Sequence, residues 1–119
     1  MLAKKLAQEY GLPEQSIIGL ANTISQSFNT NLTQLVTSLN SLLPGIDVKT
    51  LDVYTTLDNV VAKPGEYGFT DTTDACVTPN QPSFVCKKPD TYVFWDGIHP
   101  TKALHVIVAQ QAIKIVSVP

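Results

Sequence analysis

Apolar positions in the first half of the chain recur by threes and fours. Leu20, Ile24, Phe28, Leu32, Leu35, Val36, Leu39, Leu42 and Leu43 are separated mainly by Asn, Gln, Ser and Thr, the spacing of an amphipathic helix. Pro44-Gly45 ends that helix, because proline cannot continue it and glycine readily turns the chain. Ile46, Val48 and Leu51 then give a short β-prone run ending at Asp52, which predicts a strand. Leu57, Val60 and Val61 mark a second helix over Tyr54–Ala62, broken by Lys63-Pro64-Gly65. From Gly65 to Asp90 the pattern has no period, which predicts a long loop, and loops of that length usually serve a purpose. Thr91–Trp95 is aromatic and β-branched, the composition of a buried strand. Asp96–Thr101 reads as a turn, and Lys102–Val116 as a final helix, apolar enough to be deeply packed.

This alternation is α/β, and right-handed crossovers would make its two strands parallel. Two strands are too few for a parallel sheet buried on both faces, so the chain is expected to be the last part of a larger doubly wound sheet. No internal repeat or low-complexity tract is visible.

Composition narrows the possibilities. The 119 residues are 44% hydrophobic and 15% charged, enough for one core but not for two domains. Eight Lys+Arg against ten Asp+Glu give a net charge of -2, so no basic footprint exists for nucleic acid. No apolar run approaches the roughly 18 residues of a membrane-spanning helix. Met1–Tyr10 has two lysines, but Gln8 and Glu9 interrupt what would be the apolar centre of a signal peptide, so an export signal is expected upstream. Cys76 and Cys86 have no CxxC partner for a zinc site; a disulfide is the simplest reading, two buried thiols the alternative. A disulfide implies an oxidising compartment.

Asp96 and His99 follow the strand that ends at Trp95, and open α/β sheets place their sites beyond the carboxyl ends of strands. Three positions apart, a tight turn brings the carboxylate to one imidazole nitrogen and leaves the other to take a proton. Pro100 stiffens the turn, and Thr101 suits the first turn of the next helix. A lone D-x-x-H pair often does no more than cap a helix. His105 adds a possible third ligand for a metal with Asp96 and His99, although six positions past His99 it falls on a different helix face. Phe94 and Trp95 read as core residues.

The block Tyr92-Val93-Phe94-Trp95-Asp96-Gly97-Ile98-His99-Pro100-Thr101 resembles the last motif of the GDSL (SGNH) lipase/esterase family. Phe28-Asn29-x-x-Leu32, Leu51-Asp52-Val53-Tyr54, Tyr67-Gly68-Phe69-Thr70 and Asp74-Ala75-Cys76 with Cys86 extend the resemblance over Leu20–Ala112, toward the secreted bacterial and plant-type branch and its phospholipase/acyltransferase-like members. The resemblance implies a flavodoxin-like three-layer α/β/α fold with parallel strands. It makes His99 the general base for a nucleophilic serine and Asp96 its orienting partner, with no cofactor and no metal. It also implies a lipid or other acyl ester substrate and a secreted or periplasmic location.

The nucleophile that this family carries in a G-D-S motif is absent from the 119 residues, as are G-x-S-x-G and G-x-N-D. Ser16, Ser25, Ser27, Ser38, Ser41, Ser83 and Ser117 lie in helix, loop or tail contexts without the sharp turn a nucleophile needs. Asn22 and Asn29 read as helix residues and not as an oxyanion hole. Asn31-Leu32-Thr33 is a chance match to a glycosylation sequon, because Leu32 belongs to the apolar face. Residues 1–119 are therefore expected to form the C-terminal part of one hydrolase domain, inactive alone, whose partner is the missing N-terminal half or a second copy of itself. The rival expectation is a non-catalytic structural or interaction module.

Overall fold

The computed structural model describes residues 2–78 and 85–117. The chain divides into two units, Leu2–Thr50 and Leu51–Pro119.

The first unit is helical. Helix α1 spans Leu2–Tyr10 and ends at Gly11, whose φ of 64° suits a residue without a Cβ. Helix α2 spans Glu14–Leu42, with Pro13 at its N-cap and Glu14 favouring the positive end of the helix dipole. It begins six residues earlier than the apolar repeat predicts. Its many hydroxyls do not break it, because Thr23, Thr30, Thr33, Thr37, Ser38 and Ser41 each donate to the carbonyl four residues back. The only element of this unit packed on α2 is α1, and Leu20, Ile24, Phe28 and Leu35 are exposed.

The strand expected over Ile46–Asp52 does not form. A strand needs a neighbouring backbone, and none lies alongside among the described residues. The Asn40 side chain stands in for one: its Nδ2 donates to the Val48 carbonyl at 3.0 Å, and its Oδ1 accepts the Val48 N–H at 2.8 Å.

The second unit carries the sheet. Helix α3, Val53–Ala62, is capped by Asp52, whose side chain accepts the Thr55 N–H at 2.9 Å. The Thr55 side chain first, then this Thr55 N–H, with a smaller contribution from the Tyr54 N–H, hold the Asp52 carboxyl below its ordinary range. A 3-10 turn over Pro64–Tyr67 and Gly68, at φ 82°, redirect the chain. Strand β1, Asp71–Ala75, then lies inside the segment predicted as loop, and a second 3-10 turn, Pro89–Thr91, leads into strand β2, Tyr92–Phe94. Helix α4 spans Lys102–Val116, as its periodicity predicts.

The fold is thus α/β, and β1 and β2 pair in parallel, but the partner of β2 is Asp71–Ala75 and not Ile46–Asp52. The pairing runs from Asp71↔Tyr92 to Ala75↔Phe94, so β1 advances four residues while β2 advances two. Asp71 accommodates the surplus, its Oδ1 accepting the N–H groups of Thr73 and Asp74 at 3.0 and 2.8 Å. Val60, Phe69, Val93 and Leu104 form the core, with Leu57, Tyr67, Phe94, Ala103 and Ile107 packed against it. Helix α4 is less buried than its composition predicts: Leu104 is its one buried residue, while Val106, Ile113 and Val116 are exposed.

Candidate active site

Strand β2 delivers the chain to Asp96, and the turn that follows is closed by backbone. The Trp95 N–H donates to the His99 carbonyl at 2.8 Å, and the Thr101 N–H to the Val93 carbonyl at 2.9 Å. Inside it, Asp96 Oδ1 accepts the N–H groups of Ile98 and His99 at 2.8 and 2.7 Å. Both bonds exist because Asp folds its short side chain back over the two residues that follow it. Asp96 Oδ2 is left facing His99 Nδ1 at 2.8 Å.

The sequence-predicted pair therefore meets in hydrogen-bond geometry. The His99 N–H holds the Asp96 carboxyl down, followed by the His99 ring and the Ile98 N–H, and its pKa falls from 3.8 to about 2. An ionised Asp96 accepts and does not donate, so Nδ1 carries the proton in the neutral ring and Nε2 is the basic nitrogen. The His99 side chain is 70% exposed and that of Asp96 25%. The base is open to an incoming group while its orienting partner is tucked beneath it.

Two attachments hold the strand end. Thr101, 2% exposed, caps α4 by accepting the Leu104 N–H at 3.4 Å and donates its hydroxyl to the Tyr92 carbonyl at 2.7 Å. On the other side, Cys76 and Cys86 form a disulfide with Cα atoms 4.8 Å apart. The Cys76 N–H donates to Phe94, the Val77 N–H to Trp95 at 2.7 Å, and the Cys86 N–H back to Cys76. No local pattern announces the Val77–Trp95 bond, since its partners are far apart in sequence and joined only by the sheet.

The remaining candidates behave differently. Trp95, expected in the core, is 41% exposed, just past the end of β2 at Phe94. His105 donates its Nδ1 proton to the Thr101 carbonyl at 3.0 Å on the first turn of α4, and no three metal-ligating residues cluster among the described residues. Ser16, Ser25, Ser27, Ser38 and Ser41 lie on α2, as do Asn22, Asn29 and the sequon at Asn31, and Ser117 caps α4. Ser83 lies outside the described residues. No helix among the described residues is long and apolar enough to cross a membrane. Shallow grooves of about 380 and 240 Å³ border α4, and neither is lined by Asp96 or His99.

The chain is also similar in sequence to known proteins. It is 34% identical over 110 residues to the GDSL esterase/lipase At2g23540 of Arabidopsis thaliana, a match covering 84% of this chain and 28% of that protein. It is 33% identical over 109 residues to the Arabidopsis GDSL esterase/lipase At5g03810, covering 83% and 31%, and 30% identical over 111 residues to the Arabidopsis GDSL esterase/lipase APG, covering 84% and 31%. The chain thus spans under a third of the length of these relatives. The profile of GDSL-like lipases and acylhydrolases matches residues 3–112, and the chain belongs to that family.

Proposed function

We propose that this chain supplies the base half of a serine ester hydrolase. His99 Nε2 takes the proton of a serine hydroxyl as its oxygen attacks an acyl ester carbonyl. Asp96 holds the ring through Nδ1 and supports the imidazolium, which then returns the proton to the departing alcohol. Water repeats the cycle on the acyl-enzyme. The observation that carries the reading is the 2.8 Å contact between Asp96 Oδ2 and His99 Nδ1 in a turn that leaves Nε2 open.

Within this reading, residues 1–119 form the C-terminal part of one hydrolase domain, and the serine belongs to an N-terminal portion, because the 119 residues contain no G-D-S and match under a third of their relatives. The chain alone is then inactive. Its substrates are acyl esters, with lipids, phospholipids and lysophospholipids as the expected class. The Cys76–Cys86 bond fits an extracellular or other oxidising compartment. The relatives are plant proteins, which gives no support to a bacterial, periplasmic or phospholipase-specific assignment. The exposed face of α2 fits either the N-terminal portion or a second copy, and sedimentation as a monomer at micromolar concentration would remove the second copy. The missing G-D-S equally favours one rival, a non-catalytic interaction module.

The test is intact mass under native and denaturing conditions, followed by a fluorophosphonate label. A second polypeptide that co-purifies and takes up the label supports the hydrolase, and His99→Ala should then abolish turnover. Equal turnover in His99→Ala refutes the role of His99, and a single unlabelled species favours the module.

A further inference from the structure

The turn that carries Asp96 and His99 is short, exposed and polar, so its geometry depends on what anchors its two ends. At its C-terminal end that anchor is one residue. Thr101 bonds two successive carbonyls of β2, Val93 through its backbone N–H at 2.9 Å and Tyr92 through its hydroxyl at 2.7 Å. The same hydroxyl accepts the Leu104 N–H, and the Thr101 carbonyl accepts both the His105 N–H and the His105 ring. Thr101 is the one buried polar residue among those described. A hydroxyl can donate once and accept at the same time, so a single side chain sets where β2 stops and where α4 starts. The Asp96–His99 turn is the chain strung between those points.

We propose that Thr101 is a positioning residue for the proton-transfer pair, its buried hydroxyl fixing the β2–α4 junction so that Asp96 Oδ2 meets His99 Nδ1. The catalytic consequence rests on the hydrolase reading; the positioning itself does not. Replacing Thr101 by valine keeps the shape but leaves the Tyr92 carbonyl and the Leu104 N–H without their partner. The exit then keeps only the backbone bond from residue 101 to Val93, the turn loosens, and the His99 ring shifts toward the Nε2–H tautomer preferred by an imidazole with no Nδ1 partner.

The test is the His99 tautomer in the 119-residue chain, read from long-range 1H–15N correlations of the neutral ring in wild type, Thr101→Val, Thr101→Ser and Leu104→Ala. Methyl shifts of Val60 and Val93 report that each variant is folded. Nδ1–H should dominate in wild type and Thr101→Ser and be lost in Thr101→Val. Leu104→Ala weakens the same junction without touching the hydroxyl, and should keep it. An unchanged tautomer in folded Thr101→Val overturns the proposal, as does an equal shift in Leu104→Ala. If Thr101→Val fails to fold, a changed tautomer in folded Thr101→Ser overturns it just as well. In the complete enzyme, Thr101→Val should lower kcat on the order of 10- to 100-fold at unchanged KM, with Thr101→Ser restoring it. A complete wild-type enzyme without esterase activity sinks the hydrolase reading and leaves the tautomer result standing.

Discussion

Replacing both cysteines, Cys76→Ala/Cys86→Ala, tests how far the turn depends on the clamp beside it. The bond closes a loop with a sequence separation of 10, and the chain-entropy relation assigns such a loop about 2.7 kcal/mol at 25 °C. A unit the size of Leu51–Pro119 has roughly 3 to 10 kcal/mol of total stability, so the loss is a large share of it. With a urea dependence of about 1 kcal/mol/M, the unfolding midpoint should fall by roughly 2 to 3 M. Trp95 is the only tryptophan and its carbonyl accepts the Val77 N–H, which makes its fluorescence a reporter at the right place. Hydrogen exchange adds the location: the amides of residues 76, 77 and 86 should lose more protection than that of Leu104. A midpoint that moves by less than about 0.5 M, with residues 76, 77 and 86 still protected, would refute the argument that the covalent bond holds this side of the site.

Three further outcomes follow from the same geometry. Asp96→Asn keeps an acceptor for the Ile98 and His99 N–H groups but turns an amide N–H toward Nδ1; in the complete enzyme kcat should fall by ~10⁴, and a loss below tenfold would contradict the orienting role. Because the Asp96 carboxyl is held at about 2 in the folded chain against ~3.9 unfolded, its contribution to stability is complete above the unfolded value and disappears as pH falls through the folded one. The amide shifts of Ile98 and His99 should titrate near that lower value, and a midpoint at the ordinary carboxylate pKa would count against the bonds. Leu104→Ala, at the centre of the Val60–Phe69–Val93 cluster, should cost about 2 to 5 kcal/mol by thermal or urea unfolding, and a loss under 1 kcal/mol would place the core elsewhere.

The parts of this molecule that sequence made legible are those whose causes are local. The Asp96–His99 contact closes within one turn, α4 follows its periodicity and a threonine at the right place, and the disulfide joins two cysteines in one irregular segment. Strand β1 was hidden because Asp-Thr-Thr-Asp-Ala has neither alternation nor apolar residues enough to signal burial. It is a strand because β2 lies beside it and Asp71 absorbs the surplus length. The converse holds at Ile46–Asp52, where the pattern asks for a strand and no neighbour answers. The exposure of Trp95 and of the far side of α4 escaped prediction for a similar reason, since burial depends on what surrounds an apolar residue as well as on the residue itself.

Parallel strands are ordinarily joined by a crossover of a dozen or more residues that contains a helix. Between Ala75 and Tyr92 the described residues supply the Val77–Val85 bridge, the three-residue turn Pro89–Thr91 and the Cys76–Cys86 bond. The covalent link shortens the path the chain must close before β1 can find β2. Oxidation is thereby tied to the order of assembly, and a chain whose cysteines pair before the sheet forms has a smaller entropic distance to travel. On this account the refolding rate of Leu51–Pro119 should depend on whether the bond is present at the start, quite apart from how stable the finished sheet is.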